Sequence, residues 1–281
     1  MEWQADILRA IQSFSNPFFD FLFEAVTVAA ETFLVVGVLL VIYWCFDKEA
    51  GIFAIWINLT GQTFSVGLKG ILKVQRPFGT PGIRTLHAET ATGYSFPSSH
   101  TCTVTNLIYT FARWYGKKSL WIAAILLPAI VAFSRMYLGC HWLLDVIGGY
   151  IIGFAFPLLA YPLYMRFPEK RNLFYVISAA VLLPFIFLSG VDKKDLLTCF
   201  GCNFGLAAGM YLENRFIGFE NPKEIKSRIY RAAVGFLIIG AVYLIPKFLL
   251  PVSDITTFIR YFIIGITGTF AVPALFKKLK I

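Results

Sequence analysis

The sequence predicts an all-α fold, a polytopic transmembrane helical bundle of about nine spans, and three observations predict it. Hydrophobic residues make up 58% of the 281, against about 45–50% in ordinary globular chains. Charged residues make up 15%, where about a quarter is usual. Apolar runs of roughly bilayer-spanning length recur from one end of the chain to the other, and no separate soluble domain fits between them.

Taken in order, the first residues, MEWQADILRAIQSF, place two acidic groups ahead of any apolar stretch, the wrong order for a cleavable signal peptide. Residues 7–24 carry Pro17 and phenylalanines at 14, 18, 19, 21 and 23. They read as an amphipathic segment in the membrane interface, with a further crossing as the alternative, so 1–24 is set apart as an interfacial segment. Spans follow near 25–46, 52–72, 101–115, 119–138, 142–165, 172–190, 196–213, 231–249 and 256–275. The third is short for a bilayer helix. Gly149-x-x-x-Gly153 and the series Gly201, Gly205, Gly209 place small residues on single helix faces, a pattern for close helix packing. The five cysteines lie in or beside apolar runs. Cys199-x-x-Cys202 has no second pair and reads as buried small residues rather than a metal or redox motif.

The net charge is +9. The basic residues are divided among short loops between spans, as the positive-inside rule requires, which excludes a nucleic-acid-binding reading. With nine alternating spans, one face receives fifteen basic residues, among them Lys48, Arg113, Lys118, Arg171, Lys226 and Lys280. The other receives five, once the cations of the motifs and of the long loop below are left out. The first face is therefore expected to be cytoplasmic.

One connection stands apart. Residues 73–100, KVQRPFGTPGIRTLHAETATGYSFPSSH, form a long polar loop with three prolines, three Lys/Arg and two histidines. Loops of this length are uncommon unless functional. Lys69, Lys73 and Arg76 are spaced so that a helix would stack them on one face, but Pro77 predicts a helix end here. At the loop's far end, Ser98 and Ser99 precede His100 where a helix begins, a place where hydroxyls cap and backbone amides favour an anion. The third cluster, SRMYLGCHWLLDV at 134–146, holds Arg135, His141 and Asp145. His141 and Asp145 are four apart, so on one helix the carboxylate accepts from an imidazole nitrogen and directs the other nitrogen's lone pair. Lys73, Arg84 and His87 singly read as satisfied polar groups or interfacial anchors. Charges gathered at membrane boundaries are functional candidates. Several Arg/Lys donors suit phosphoryl oxygens. A carboxylate-oriented histidine suits a nucleophile, and a second histidine an acid. No acidic cluster for magnesium or calcium, and no set spaced for zinc, accompanies them, so no metal or other cofactor is expected.

Lys69-x6-Arg76-Pro77, Pro97-Ser98-Ser99-His100 and Ser134-Arg135-x5-His141-x3-Asp145 closely resemble the three signature motifs of the type 2 phosphatidic acid phosphatase superfamily, in order and in spacing. Ser99 stands where that family most often has glycine. The resemblance implies that His141 is the nucleophile that becomes phosphohistidine, that Asp145 orients it, and that His100 protonates the leaving oxygen and then activates water. It implies that Lys69, Arg76, Arg135, Ser98 and Ser99 bind the phosphate. It further divides the chain into a catalytic core at 25–190 and a C-terminal transmembrane extension at 191–281.

The expected function is an integral-membrane, metal-independent phosphatase acting on a phosphomonoester or diphosphate of a lipid. Its partners would be that lipid phosphate and the surrounding membrane lipids; nothing in the sequence sets the oligomeric state. Two alternatives stay open: a phosphotransferase using the same phosphohistidine, and a non-catalytic lipid-phosphate binding or transport protein. The expected location is a multi-pass cell membrane, or the endoplasmic reticulum membrane in a eukaryote. In either, the site would open to the extracytoplasmic or lumenal side.

Overall fold

The computed structural model describes every residue except 1, 89, 90, 92, 189–192, 250 and 252. The expected domain boundary after 190 and the end of the sixth expected span lie outside the described residues. Those that are described form helices, turns and loops, with no strand among them. The helices are α1 (Glu2–Gln12), α2 (Pro17–Ala29), α3 (Thr32–Cys45), α4 (Lys48–Leu72), α5 (Ser99–Tyr115), α6 (Lys118–Tyr137) and α7 (Leu143–Arg166). They continue with α8 (Arg171–Leu182), α9 (Phe185–Leu188), α10 (Lys193–Leu212), α11 (Ile225–Leu249), α12 (Asp254–Ile266) and α13 (Val272–Leu279).

Among the described residues, five helical stretches are long and apolar enough to cross a membrane: Lys118–Tyr137, Leu143–Arg166, Pro168–Leu188, Ile225–Leu249 and Asp254–Leu279. A sixth exists if α2 and α3 form one bent span. The count of nine is therefore not confirmed. The physical reason lies in α4, α5 and α10. α4 buries Asn58, Thr60, Gln62, Thr63 and Ser65. α5 is only 17 residues long and buries three threonines and Asn106 in its first half. α10 opens on Lys193-Lys194-Asp195. Apolar periodicity registers a helix packed inside protein and one facing lipid alike.

The chain forms two compact units. The first comprises Met1–Val35, Phe64–Ala160 and Leu188–Asp192. In it, α1 turns Ala5 and Leu8 against Met136, Trp142 and Val146, while Gln4 and Gln12 on the same buried face reach polar backbone. Gln12 accepts from the amide of Arg84 at 2.8 Å and donates to the carbonyls of Arg84 at 2.8 Å and Tyr137 at 2.7 Å. It thereby ties α1 to the long loop and to the end of α6. α2 starts at Pro17 behind Asn16, whose side chain accepts from the Phe19 amide, the usual N-cap and N1 pairing.

Two glycines set the approach of α7 to α5. A Cβ on Gly149 would lie 2.4 Å from the Ser98 carbonyl, and one on Gly153 would lie 2.6 Å from that of Cys102. The backbones touch, as the small-residue spacing predicts. Gly139, at φ +66°, ends the turn after α6; a Cβ there would sit 2.2 Å from the Arg84 carbonyl. That position accepts only glycine, and it delivers the chain to His141.

The second unit comprises Val36–Thr63, Tyr161–Phe187 and Lys193–Ile281. Tyr43 and Trp44 are fully buried and donate to the carbonyls of Thr269 (3.0 Å) and Gly268 (2.8 Å). Lys48 and the buried Glu213 form a partly buried ion pair at 2.8 Å. Gly201 and Gly205 admit the α12 backbone: a Cβ there would approach the Phe258 and Phe262 carbonyls to 2.6 and 2.3 Å. Cys199 and Cys202 are free thiols on α10, both half-buried.

Candidate active site

The end of α4, the long loop, the start of α5, the end of α6 and the start of α7 all belong to the first unit, and they bring the eight expected site residues together. Lys69, in the last turn of α4 and 7% exposed, donates to the carbonyls of Tyr94 (3.0 Å) and Ser95 (3.3 Å). Arg76 grips the same strip of loop, donating to the carbonyls of Gly93 (2.9 Å) and Tyr94 (3.2 Å). It donates as well to the Cys140 carbonyl (2.9 Å), and its Nη1 lies 3.2 Å from His141 Nε2. Two cations thus fix residues 93–95 as one wall of the site.

The stacking of three cations on one helix face does not occur. α4 ends at Leu72, and Lys73 takes a left-handed conformation, φ 50°, and lies exposed, so the chain turns away before Arg76. Arg84 pairs with Asp20 at 2.7 Å, and His87 Nδ1 lies 3.0 Å from Glu24, so each meets a polar partner within the protein.

The histidine and its carboxylate pair across a helix start rather than along one helix. His141 lies in the turn before α7, and Asp145 lies in the first turn of α7; each is 1% exposed. His141 Nδ1 is 3.4 Å from Asp145 Oδ2. The same oxygen accepts from the Trp142 amide at 2.7 Å and from the Ser95 hydroxyl. Since the guanidinium of Arg76 can only donate, it faces the lone pair of Nε2, and the proton sits on Nδ1 toward Asp145. Burial, followed by the charges of Arg76, Lys69, Arg135 and His100, holds the His141 imidazolium well below its ordinary pKa. The ring is neutral at pH 7, the form a nucleophile needs. Arg76 itself, buried and facing Arg135, is lowered to about 10 and stays charged.

Ser98 caps α5: its hydroxyl accepts from Thr101, and its amide donates to the Asp145 carbonyl at 2.9 Å, joining the α5 and α7 starts. Ser99 Oγ lies 3.4 Å from Ser65 Oγ. His100 follows in the first turn of α5, within electrostatic reach of Arg135, Lys69 and Arg76, and its Nε2 is buried with no hydrogen-bond partner among the described residues. Arg135 is 0% exposed, and its Nε, Nη1 and Nη2 have no hydrogen-bond partner among them either. Burying an unpaired guanidinium costs several kcal/mol on the order of magnitude seen for isolated ions. The donors suit the oxygens of an anion held between Arg135, Arg76 and His141. Ser95 was not singled out from the sequence. One serine in a loop of Ser, Thr and Gly carries no spacing signal, and only the fold places it on Asp145.

The PAP2 superfamily profile matches residues 50–169, and the profile of the PAP2 superfamily phosphatase transmembrane extension matches 197–281. The chain belongs to the PAP2 superfamily. All eight expected site residues fall inside the first PAP2 match. Among curated relatives, the chain is 32% identical over 107 residues to an undecaprenyl-diphosphatase of Sulfolobus acidocaldarius, covering 37% of this chain and 50% of that one. It is 32% identical over 136 residues to a putative undecaprenyl-diphosphatase of Escherichia coli, covering 46% and 66%. It is 28% identical over 228 residues to human sphingosine-1-phosphate phosphatase 2, covering 74% and 56%. The chain thus spans about half to two thirds of the length of these PAP2 relatives. A crystal structure of a transmembrane PAP2 type phosphatidylglycerolphosphate phosphatase from Bacillus subtilis aligns with a TM-score of 0.48 at 21% identity, over 60% of this chain and 86% of that one.

Proposed function

We propose that this PAP2 chain is a membrane phosphatase that hydrolyses a lipid phosphomonoester or diphosphate through a phosphohistidine. The observation that carries the reading is the buried guanidinium of Arg135, its donors without partners among the described residues, in a site where Arg76 already faces His141 Nε2. In this mechanism the phosphoryl oxygens lie among Lys69, Arg76, Arg135 and the start of α5 at Ser98 and Ser99. The Nε2 lone pair of His141 attacks phosphorus, and the N–P bond forms as the bond to the leaving oxygen breaks. His100 delivers its proton to that oxygen, releasing the lipid alcohol, or a lipid monophosphate from a diphosphate. His100 then takes a proton from water, whose oxygen displaces phosphate from His141. Asp145 holds the Nδ1 proton throughout and steadies the positive charge that develops on the ring.

Three cations do the neutralising that magnesium does in other phosphoryl-transfer sites, so the reaction is read as metal-independent. The names of the relatives suggest a polyprenyl diphosphate or a sphingoid base phosphate as substrate. The core at 25–190 carries the chemistry in this reading, and 191–281 is the extension. Purified protein is tested on a panel of lipid phosphates for release of inorganic phosphate, with and without excess EDTA. Release that survives EDTA and stops with vanadate is the expected result. Release that is lost in EDTA and restored by magnesium would overturn metal independence. Transfer to an added alcohol without free phosphate would make the protein a phosphotransferase, and neither reaction on any lipid would leave the binding-protein reading.

A further inference from the structure

His87, in the long loop, takes no part in the proposed chemistry, yet both nitrogens of its ring meet carboxylates. Nδ1 lies 3.0 Å from Glu24 Oε1, and Nε2 lies 3.7 Å from Glu31 Oε1. The strap that carries it is fixed: the Leu86 amide donates to the Leu138 carbonyl at 2.9 Å, and the Cys140 thiol donates to the Leu86 carbonyl at 3.3 Å. A neutral imidazole has one donating and one accepting nitrogen. It suits one of these carboxylates and turns a lone pair toward the other, whereas an imidazolium pairs with both. The shorter contact keeps the proton on Nδ1, toward Glu24, so Glu31 is the partner lost when the ring is neutral.

Glu31 stands in the break between α2 and α3, where the two helices bend by 49°, and packing sets that break beside the phosphate side of the site. The preceding Ala30 is buried against Val104 of α5 and Val131 of α6. His100 lies one turn before Val104, and Arg135 one turn after Val131. Thr27, one turn before Glu31, is joined to Ser134, the neighbour of Arg135, at 3.0 Å between hydroxyls. The Glu31 carboxylate accordingly acts on the charge of Arg135, and the His87 ring on that of His100. Around His87, α2 contributes Glu24 and Asp20, the break Glu31, α5 His100, α6 Arg135 and Tyr137, and the loop itself Arg84. Asp20 is committed to Arg84 at 2.7 Å and to the Tyr137 hydroxyl at 2.6 Å. Carboxylates, arginine and tyrosine ordinarily change charge outside pH 5–8, and histidine within it.

We propose that Glu31 and His87 form a pH-dependent electrostatic rim that sets how tightly the site holds a phosphate anion. Near pH 5 the imidazolium offsets the Glu31 carboxylate, and the field of Arg135 reaches the anion undiminished. Near pH 8 the ring is neutral, and Glu31 stands uncompensated beside Arg135, where it opposes the anion. Neither residue touches the reacting atoms; both act through Arg135 and His100, so they are positioning residues. Affinity falls as the pH rises through the histidine range, which moves KM and leaves kcat nearly unchanged. This rests on the proposed placing of the phosphate at Arg135, and not on its hydrolysis.

The test uses the full chain in lipid nanodiscs and measures by calorimetry the Kd of hexyl sulfate, a phosphate-like head whose single charge is constant across pH 5–8. Arg135→Ala should abolish binding, which locates the anion at that guanidinium. His87→Asn removes the titrating ring, and asparagine tolerates the left-handed backbone, φ 55°, at this position. Relative to this variant, the wild-type protein should bind about ten-fold more tightly at pH 5.5 and equally at pH 7.5. Ten-fold is the order expected for one unit charge acting over roughly 10 Å at an effective dielectric of about 20. Titration of His100 is common to both proteins and cancels in the ratio. Glu31→Gln should do the opposite of His87→Asn and tighten binding about ten-fold at pH 7.5, whereas damage to a merely structural contact would weaken it in both. A gain at pH 5.5 that survives His87→Asn overturns the proposal. So does an absence of tightening at pH 7.5 in Glu31→Gln, or binding untouched by Arg135→Ala. Binding is read without turnover, so a protein that shows these shifts but releases no phosphate from any lipid loses the proposed function and keeps the rim. One that turns over while its Kd ignores both rim substitutions does the reverse.

Discussion

Asp145 Oδ2 gathers three donors while His141 Nε2 meets a guanidinium, and each of these contacts sets an expected cost. His141→Ala should abolish phosphate release and covalent labelling with radioactive substrate, since no nucleophile remains; turnover near the wild-type rate would remove the mechanism. Asp145→Asn should leave a folded protein slowed by ~10²–10⁴, the range suggested by loss of the orienting carboxylate in a serine-protease triad. Ser95→Ala removes one donor to that carboxylate and should slow turnover about ten-fold; an unchanged rate would make Ser95 a loop contact only. The sign of the pH effect follows from His141. The folded protein holds it neutral, while the unfolded chain binds a proton below about pH 6.5. Stability should therefore fall as the pH drops below that value. Thermal unfolding in detergent between pH 7 and 5 should show this fall, and a shallower one in His141→Gln.

Among the elements, the contact of α5 with α7 decides whether these residues meet, because Ser98 and Asp145 are joined backbone to backbone where the two helices start. Gly153→Leu would drive a side chain into the Cys102 carbonyl and Thr105. Overpacking of this kind costs about 1–3 kcal/mol, occasionally more. The expected result is a lower unfolding temperature together with lost activity, while Gly240→Ala, where an added Cβ meets nothing within 4 Å, should change neither. The small-residue pattern on α7 was legible in the sequence because 3.6-residue periodicity places positions 149 and 153 on one face whatever the partner. The identity of that partner was not legible, since nothing in α7 names α5. The His141–Asp145 pair was legible for the same reason, a spacing of four. Its placement across the start of α7, with the Trp142 amide supplying a donor, depends on where that helix begins, and Gly139 decides this through its left-handed turn.

For the whole molecule, the testable statement is sidedness. If the nine expected spans alternate, the positive-inside rule would put the heavily basic loops inside and the site outside, or in an organelle lumen, with the carboxyl terminus inside. Single cysteines at Thr85 and Lys280, in a background lacking the five native cysteines, can be probed in intact cells with a membrane-impermeant thiol reagent. Labelling at Thr85 but not at Lys280 is expected; the opposite pattern would invert the topology. The sequence alone determined that the chain is helical and rich in membrane-length apolar runs. It also determined that three cations, two histidines and a carboxylate fall in three motifs at helix ends. Composition and spacing are local properties, and they survive any packing. Tertiary structure alone decided that Asn58, Gln62 and Ser65 of α4 and the threonines and Asn106 in the first half of α5 are buried, that Lys73 turns out of the cation set, and that Ser95 reaches Asp145. It also left Oδ1 of Asp145 without a hydrogen-bond donor among the described residues. Each of these depends on which surfaces meet across the fold, and contacts between residues so distant in the chain leave no periodicity to read.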